Sequence, residues 1–424
     1  MVHRVAPMAD RAWDDVERML SVDQALAQIL AVISPLAAEE VDLLDTDGLV
    51  LAESIVATED LPPYRNSAMD GYAIQARDSH AANSGRPREL AVVGSIAAGD
   101  VPTVEVTSGT AVRIMTGAAM PDGADSVARF EEVRFRPEDE DQARPKTILI
   151  GRAPMPGENV RYAGEDVARG TTVLQPGTRL RPGEIGLLAA LNRVSVAVHR
   201  RPRVAILSTG DELVDLGQPL APGKIRNSNS YTLAAMAKRF GAIPHVLGIA
   251  RDAVGDLTRQ LEIARGCDLI VTSGGVSVGD YDLVKDVLRA EGEISIWQVR
   301  MKPGKPLAFG QVGGCPLLGL PGNPVAAAVS FEIFGHQVIA KMLGQRRYRP
   351  PVVTAMLTEQ LDNRGQRRHY VRATVEETAA GETTVRVAGA QGAGTLSSLA
   401  RANGLLVIPE ELTVAEPGMR LPVL

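Results

Sequence analysis

A chain of 424 residues, 45% hydrophobic and 23% charged, has the composition of a soluble globular protein and the length for roughly three domains. Its net charge of −6 and aromatic content of only 4% exclude a general nucleic-acid surface, which needs basic stripes and stacking rings. No apolar run approaches the ~20 residues of a membrane span, and the N-terminal "MVHRVAPMADRAWDDVERML" carries acids where a signal peptide has an apolar core, so the expected place is the cytoplasm, away from membranes. Cys267 and Cys315 lack a CxxC spacing, which speaks against a disulfide framework or a zinc site and leaves them as small core hydrophobes.

In chain order, the first clear element is a helix: Ser21 and Gln24 form an S-x-x-Q capping box ahead of "VDQALAQILAVI", which must end before Pro35. From about residue 87 to 150, short runs such as "ELAVVGSI", "GTAVRIMTG" and "DSVARFEEVRF" between Gly, Pro and Asp turns predict a β-rich module, with "RPEDEDQARPK" (136–146) as a solvated hairpin tip. The stretch "GENVRYAGEDVARGTTVLQPGTRLRPGEIGLLAALN" mixes Gly-rich turns with one helical segment. Residues 201–343 alternate strand and helix patterns: "RVAILS" before "NSNSYTLAAMAKRFG", "PHVLGIA" before "AVGDLTRQLEIARG", "CDLIVTS" before "YDLVKDVLRAEG", and "PLLGL" before "NPVAAAVSFEIFGHQVIAKML". Gly241, Gly266 and Gly292 stand where helices should stop, and Asn323 with Pro324 reads as an N-cap and first-turn proline. This predicts a parallel, doubly wound α/β domain, followed after Pro350 by a small domain of alternating strands.

Ligands of open α/β sheets gather beyond the carboxyl ends of the strands, and there the unusual loops fall: "STGDEL" (208–213), Arg251-Asp252, "TSGGVSVGDYD" (272–282) and "PGNP" (321–324). Glycine lets backbone N–H groups approach an anion, so the third loop resembles a phosphate cradle. Alone it reads equally as a plain turn; four such loops on one edge favour a binding site. Glu212, Asp252 and Asp282 would repel a phosphate unless a cation lay between, which points to Mg2+; each taken singly fits helix capping as well. Lys302 and Lys305 in "RMKPGKPLAFG" (300–310) are ordinary surface lysines one by one, yet placed before "PLLGLPGNP" they could neutralise a terminal phosphate. Lys224 and Arg226 are weaker candidates, and Asn227, Ser228 and Asn229 are read as caps without chemistry. "PPYRNSAMDGYA" (62–73) reads as a Pro-led loop with an Asp-Gly turn, and Thr116 is an isolated polar residue in "MTG".

The ordered series "NSAMDGYA", "RIMTGA", "GEDV", "STGDEL", "SGGVSVGDYD", "KPGKP" and "LPGNP", across residues 66–324, resembles the molybdopterin molybdenumtransferase family, the MoeA type that also forms the E domain of gephyrin. "AGAQGAGTLSSLARANG" (388–404) extends the resemblance more weakly into the last domain. It implies a multidomain α/β plus β chain: an elongated, discontinuous dimerisation domain (1–60 and 155–199), a β-rich inserted domain (61–154), an α/β molybdopterin-binding domain (200–346) and a C-terminal β-barrel (347–424). The implied reaction inserts molybdenum from molybdate into adenylated molybdopterin with release of AMP, assisted by Mg2+. The implied assembly is a homodimer whose cleft joins the α/β domain of one subunit to the inserted domain of the other, in contact with the molybdopterin adenylyltransferase.

Carried over by position, Asp70, Thr116, Glu212, Asp252 and Asp282 match residues tied to catalysis, the last three also to the metal, with Asp166 a weaker match. Gly274, Gly275, Ser277, Lys302, Lys305, Pro321, Asn323 and Pro324 match the surface for the pterin and its phosphates, and Ser397 and Ser398 line the cleft from the last domain. The chain departs from the family at Arg65, Gln298, Arg300 and Ala326, which bears on fine substrate contacts. Two rivals remain in view. A phosphoanhydride hydrolase of the competence-damage-inducible type shares the "STGDEL" region and is not expected to carry "NSAMDGYA". A non-catalytic scaffold would not need the carboxylate set.

Overall fold

Along Thr110–Ile114 successive side chains alternate between two apolar clusters, Ala111 into one and Val112 with Ile114 into the other, as the period of 2 of a strand requires. Runs of this kind build a six-stranded sheet in the order Ser126–Arg129, Gly71–Ile74, Thr110–Ile114, Arg88–Ile96, Thr147–Ile150 and Val133–Arg134. The predicted β-rich module is there, and "GYAI" joins it as an inner strand. A computed structural model describes residues 19–136, 145–251, 254–275, 292–346 and 350–424, so the core of the predicted hairpin tip, 137–144, lies outside the described residues. Its flanks do pair antiparallel, Leu149 with Arg134 and Ile150 with Val133.

This sheet belongs to one of two compact units, formed by Glu53–Gln175 and Pro182–Ser195; the other comprises the chain up to Ala52, Pro176–Arg181 and Val196–Leu424. In the second unit, α1 (Val22–Ala31) starts on the predicted capping box and buries Val22, Ala25 and Ile29, a stripe spaced for one helix face. The α/β part follows as β1 (Arg203–Thr209), α2 (Asn229–Arg239), β2 (Ile243–Ala250), α3 (Val254–Ala264) and β3 (Leu269–Ser273), then β4 (Gly292–Gln298), β5 (Met301–Lys302), β6 (Pro306–Val312), β7 (Cys315–Leu320) and α4 (Pro324–Ser330). A π-helical turn at Phe331–Gly335 carries α4 into α5 (His336–Met342).

The sheet order is β2-β1-β3-β7-β6-β4, with the first four strands parallel and the last two antiparallel. The parallel portion is the one legible from strand–helix alternation. The antiparallel edge is not, because the segment around Lys302 and Lys305 reads as a turn; Gly292 begins β4, and the helix expected before it, at 281–291, lies outside the described residues. Phe331, Phe334, Val325 and Leu318 meet Val22 and Ile29 in one core, each contributing about 1.5–3 kcal/mol of burial. Beyond Pro350, β8 (Val353–Leu357), β9 (Arg368–Glu377), β10 (Thr383–Val387), α6 (Leu396–Arg401), β11 (Gly404–Ile408) and β12 (Arg420–Val423) form the terminal domain. Its sheet runs β5-β9-β10-β8-β12-β11 and closes through a β9–β11 pairing, which makes a barrel around Leu357, Val371, Leu406 and Val423. Among the described residues no helix is long and apolar enough to cross a membrane.

Candidate functional site

The loops after β1, β3 and β7 open into one cavity of about 730 Å³, within the range of small-molecule sites. It is lined by Glu212, Ser273, Gly274, Gly275, Pro321, Asn323 and Pro324 from the sheet edge, by the Lys302–Pro306 turn, and by His369, Gln391 and Ala393 from the barrel. Thus Glu212, Gly274, Gly275, Lys302, Lys305, Pro321, Asn323 and Pro324, dispersed over more than a hundred positions of sequence, share one wall system. Asp252, Ser277 and Asp282 fall outside the described residues.

The rim is tied together by residues whose sequence pattern predicts only helix caps. Asn229 Nδ2 donates to Ser273 Oγ and to the Gly322 carbonyl, both at 2.7 Å, while Ser273 Oγ donates to the Pro321 carbonyl at 3.3 Å. Beneath them Ser208 Oγ donates to Asn227 Oδ1 at 3.0 Å, and Asn227 Oδ1 also accepts from the Ser230 N–H at 3.2 Å. Asn227 and Ser230 are buried, so this network is satisfied rather than solvated, and it fixes the start of α2 under the site. Asn229 is therefore a loop fastener, and Asn227 caps from inside.

Gly274 is needed for packing more than for anion binding. Its φ is +97°, and a Cβ there would lie 2.8 Å from the Thr209 carbonyl oxygen. Its N–H is already donated to the Leu320 carbonyl at 3.0 Å. The expected cradle of free amides is likewise reduced at α4, where the Val325 N–H donates to the Ala393 carbonyl at 3.0 Å and the Asn323 side chain makes no capping bond.

Positive charge in the cavity comes from Lys302, Lys305 and Arg226, and the acid described there is Glu212. Neither Lys302 nor the Glu212 carboxylate has a side-chain hydrogen-bond partner among the described residues. Arg226 Nη1 is spent on the Asp215 and Gln218 carbonyls and Lys224 Nζ on the Asp211 carbonyl, so these two brace the loop they sit in.

The barrel wall hangs on Arg372, which is 0% exposed. Its Nε donates to Ser398 Oγ at 3.2 Å and its Nη2 to the Ala390 and Gly392 carbonyls at 3.2 and 3.1 Å. Gln391 closes the loop by accepting from the Arg372 N–H at 3.0 Å and donating back to the Arg372 carbonyl at 3.1 Å. Ser398 is accordingly buried behind the wall, and Ser397 is exposed on α6; neither lines the cavity. Arg372 and His369 lie in a strand, "RHYVRATVEE", that shows only alternation, and nothing in it marks which polar residue turns inward; Gln391 lies in the Gly-rich "AGAQGAG", which carries no signal of its own.

In the other unit Asp70 and Thr116 meet although they are 46 positions apart: the Thr116 N–H and hydroxyl both donate to Asp70 Oδ1, at 2.7 and 2.8 Å. Those two bonds hold the exposed Asp70 carboxyl below its usual range. Gly71 follows it because a Cβ there would fall 2.1 Å from the Ala128 carbonyl oxygen, so the strand can pass close only without a side chain. Asp166, also exposed, is in the same unit. The two cysteines take no part: burial pushes the Cys315 thiol up to about 12, which leaves it inert.

Residues 20–192 match the family model for the MoeA N-terminal region (domain I and II), 205–341 that for a probable molybdopterin binding domain, and 354–424 that for the MoeA C-terminal region (domain IV). The chain is 40% identical over 392 residues to the molybdopterin molybdenumtransferase of Nostoc sp., covering 91% of this chain and 88% of the relative. Against the Haemophilus influenzae protein of the same name the figures are 35% over 396 residues, with 93% and 95% covered. Among solved structures, the molybdopterin biosynthesis moeA protein of Pyrococcus horikoshii OT3 superposes with a TM-score of 0.82 at 32% identity, covering 96% of this chain and 99% of that one.

Proposed function

The chain belongs to the molybdopterin molybdenumtransferase family, transferases of molybdenum cofactor biosynthesis, and from that premise we propose that its cavity binds adenylated molybdopterin and that molybdenum from molybdate is inserted there with release of AMP. The observation that carries this reading is the single cavity in which Lys302 and Lys305 share walls with Glu212 and the Ser273–Gly275 loop. A nucleotide-linked pterin and molybdate are both anions, and the two lysines supply the charge that would hold them. Breaking a phosphoanhydride demands positioning and charge neutralisation more than covalent chemistry, which suits a rim held rigid by Asn229 and Ser273. The agreement of all three regions with the family, and not of the α/β part alone, disfavours the hydrolase alternative.

Glu212 offers a hard oxygen donor at the cavity, unpaired among the described residues, which fits magnesium; together with Asp252 and Asp282 it would hold the ion. Bound there, the cation would supply charge to offset the phosphates. The proposed assembly is a cytoplasmic homodimer built on the discontinuous domain of residues 1–60 and 155–199, in which the Asp70–Thr116 pair of one subunit completes the cavity of the other and the adenylyltransferase delivers substrate.

Purified chain given adenylated molybdopterin, molybdate and Mg2+ should release AMP. Release should stop on chelation, return with Mg2+, and fall about a hundredfold in Lys302→Ala and in Glu212→Gln. Equal release by wild type and both variants would end the proposal.

A further inference from the structure

His369 is 6% exposed, lines the cavity, and has neither ring nitrogen hydrogen-bonded to any described group. A buried imidazole without partners is costly, and buried polar groups in folded chains are almost always paired, so an unpaired one on the wall of a ligand cavity asks for a ligand. Its position says which kind. In the β5–β9 ladder His369 stands in register with Lys302, and both line the cavity shared with Lys305.

We propose that His369 is a ligand contact of this cavity, donating a ring N–H to an oxyanion of the bound substrate beside Lys302. The inference rests on the reading of the cavity as the seat of an anionic substrate and adds to it a residue and a proton. The oxyanion is tetrahedral in either source, a phosphate oxygen or a molybdate oxygen.

Surrounded by protein alone the imidazole is neutral, because burial, then Lys302, Arg372 and Arg367, push its pKa down to about 4. Lys305 and Arg226 in the same cavity add positive charge and Glu212 negative, while its partner across β9–β11, Ile408, is apolar. An oxyanion seated against Lys302 offsets that positive field and favours the imidazolium, whose two N–H groups can then both donate. Binding should therefore take up a proton on His369, and affinity should rise as pH falls through the midpoint of the bound state toward the free-state value of about 4.

The test uses full-length chain labelled with 13C at its six histidines, with the ring signal that vanishes in His369→Gln assigned to His369. Without ligand that signal should hold its neutral position from pH 8 down to 5. Sodium molybdate or AMP should move it toward the imidazolium, raising the midpoint by about one unit or more. A response to molybdate alone places the contact at the molybdenum oxyanion, and a response to AMP alone places it at the phosphate. Calorimetry run alongside should find the responding probe bound about tenfold more weakly by His369→Leu. A probe that binds wild type and His369→Leu equally, leaving the ring signal unmoved, overturns the inference while the substrate reading stands. If neither probe binds at all, both fall.

Discussion

His369 is also where acid should be felt first at the scale of single residues. Its ordinary pKa is 6.5 and burial holds it at about 4 in the folded chain. Between those two values the unfolded chain binds a proton that the folded chain does not, so the contribution to stability falls as pH drops through 6.5 and levels off below about 4. The difference corresponds to about 3 kcal/mol, most of it expressed by pH 4.5. Urea unfolding of wild type at pH 7 and pH 4.5 should therefore show a larger gap than in His369→Gln, by about 2 kcal/mol. Equal gaps would mean that the ring is already protonated or solvated when folded. Asp70 behaves in the opposite sense, its carboxylate favoured by the Thr116 donors, but it is exposed and that preference belongs to chemistry rather than to stability.

Among elements, one polar side chain bridges α1 and the barrel on top of the core they share. Arg368 of β9 donates to Asp23 at 3.2 and 2.9 Å and to Glu410 at 3.0 and 3.2 Å. Glu410 is mostly covered and Asp23 mostly open, so the two halves of the fork should differ in worth. Arg368→Met should lower unfolding free energy by about 2 kcal/mol, because it strands Glu410, whereas Asp23→Asn should cost less than about 1 kcal/mol. Equal losses in denaturant melts would contradict this division. Helices α1 to α4 and the parallel strands are legible in the sequence, since periodicity and the Ser21–Gln24 box are local signals. The antiparallel pair β4 and β6 is not, because its strands flank a turn whose lysines and proline mask the alternation. Of the site, the glycine loops and lysines could be named from sequence; the fasteners Asn229 and Arg372 could not, because their partners are 44 and 26 positions away and only folding brings them together.

For the whole molecule, the proposed pairing of subunits has a quantitative signature. If each cavity is completed by Asp70 of the second chain, random exchange of an Asp70→Asn preparation with a Glu212→Gln preparation leaves half the dimers mixed, each with one intact site, and roughly a quarter of wild-type AMP release should return. No recovery after proven exchange would place both residues in the same chain's chemistry. The bond from the Val325 N–H to the Ala393 carbonyl has a different bearing on how the protein can be cut or evolved. The first amide of the helix that follows "LPGNP" is held by the terminal barrel, so that barrel is not an appendage to a self-sufficient enzyme. Deleting it would unroof the chamber, uncap α4 and bare the Tyr370-facing side of the main core in a single stroke.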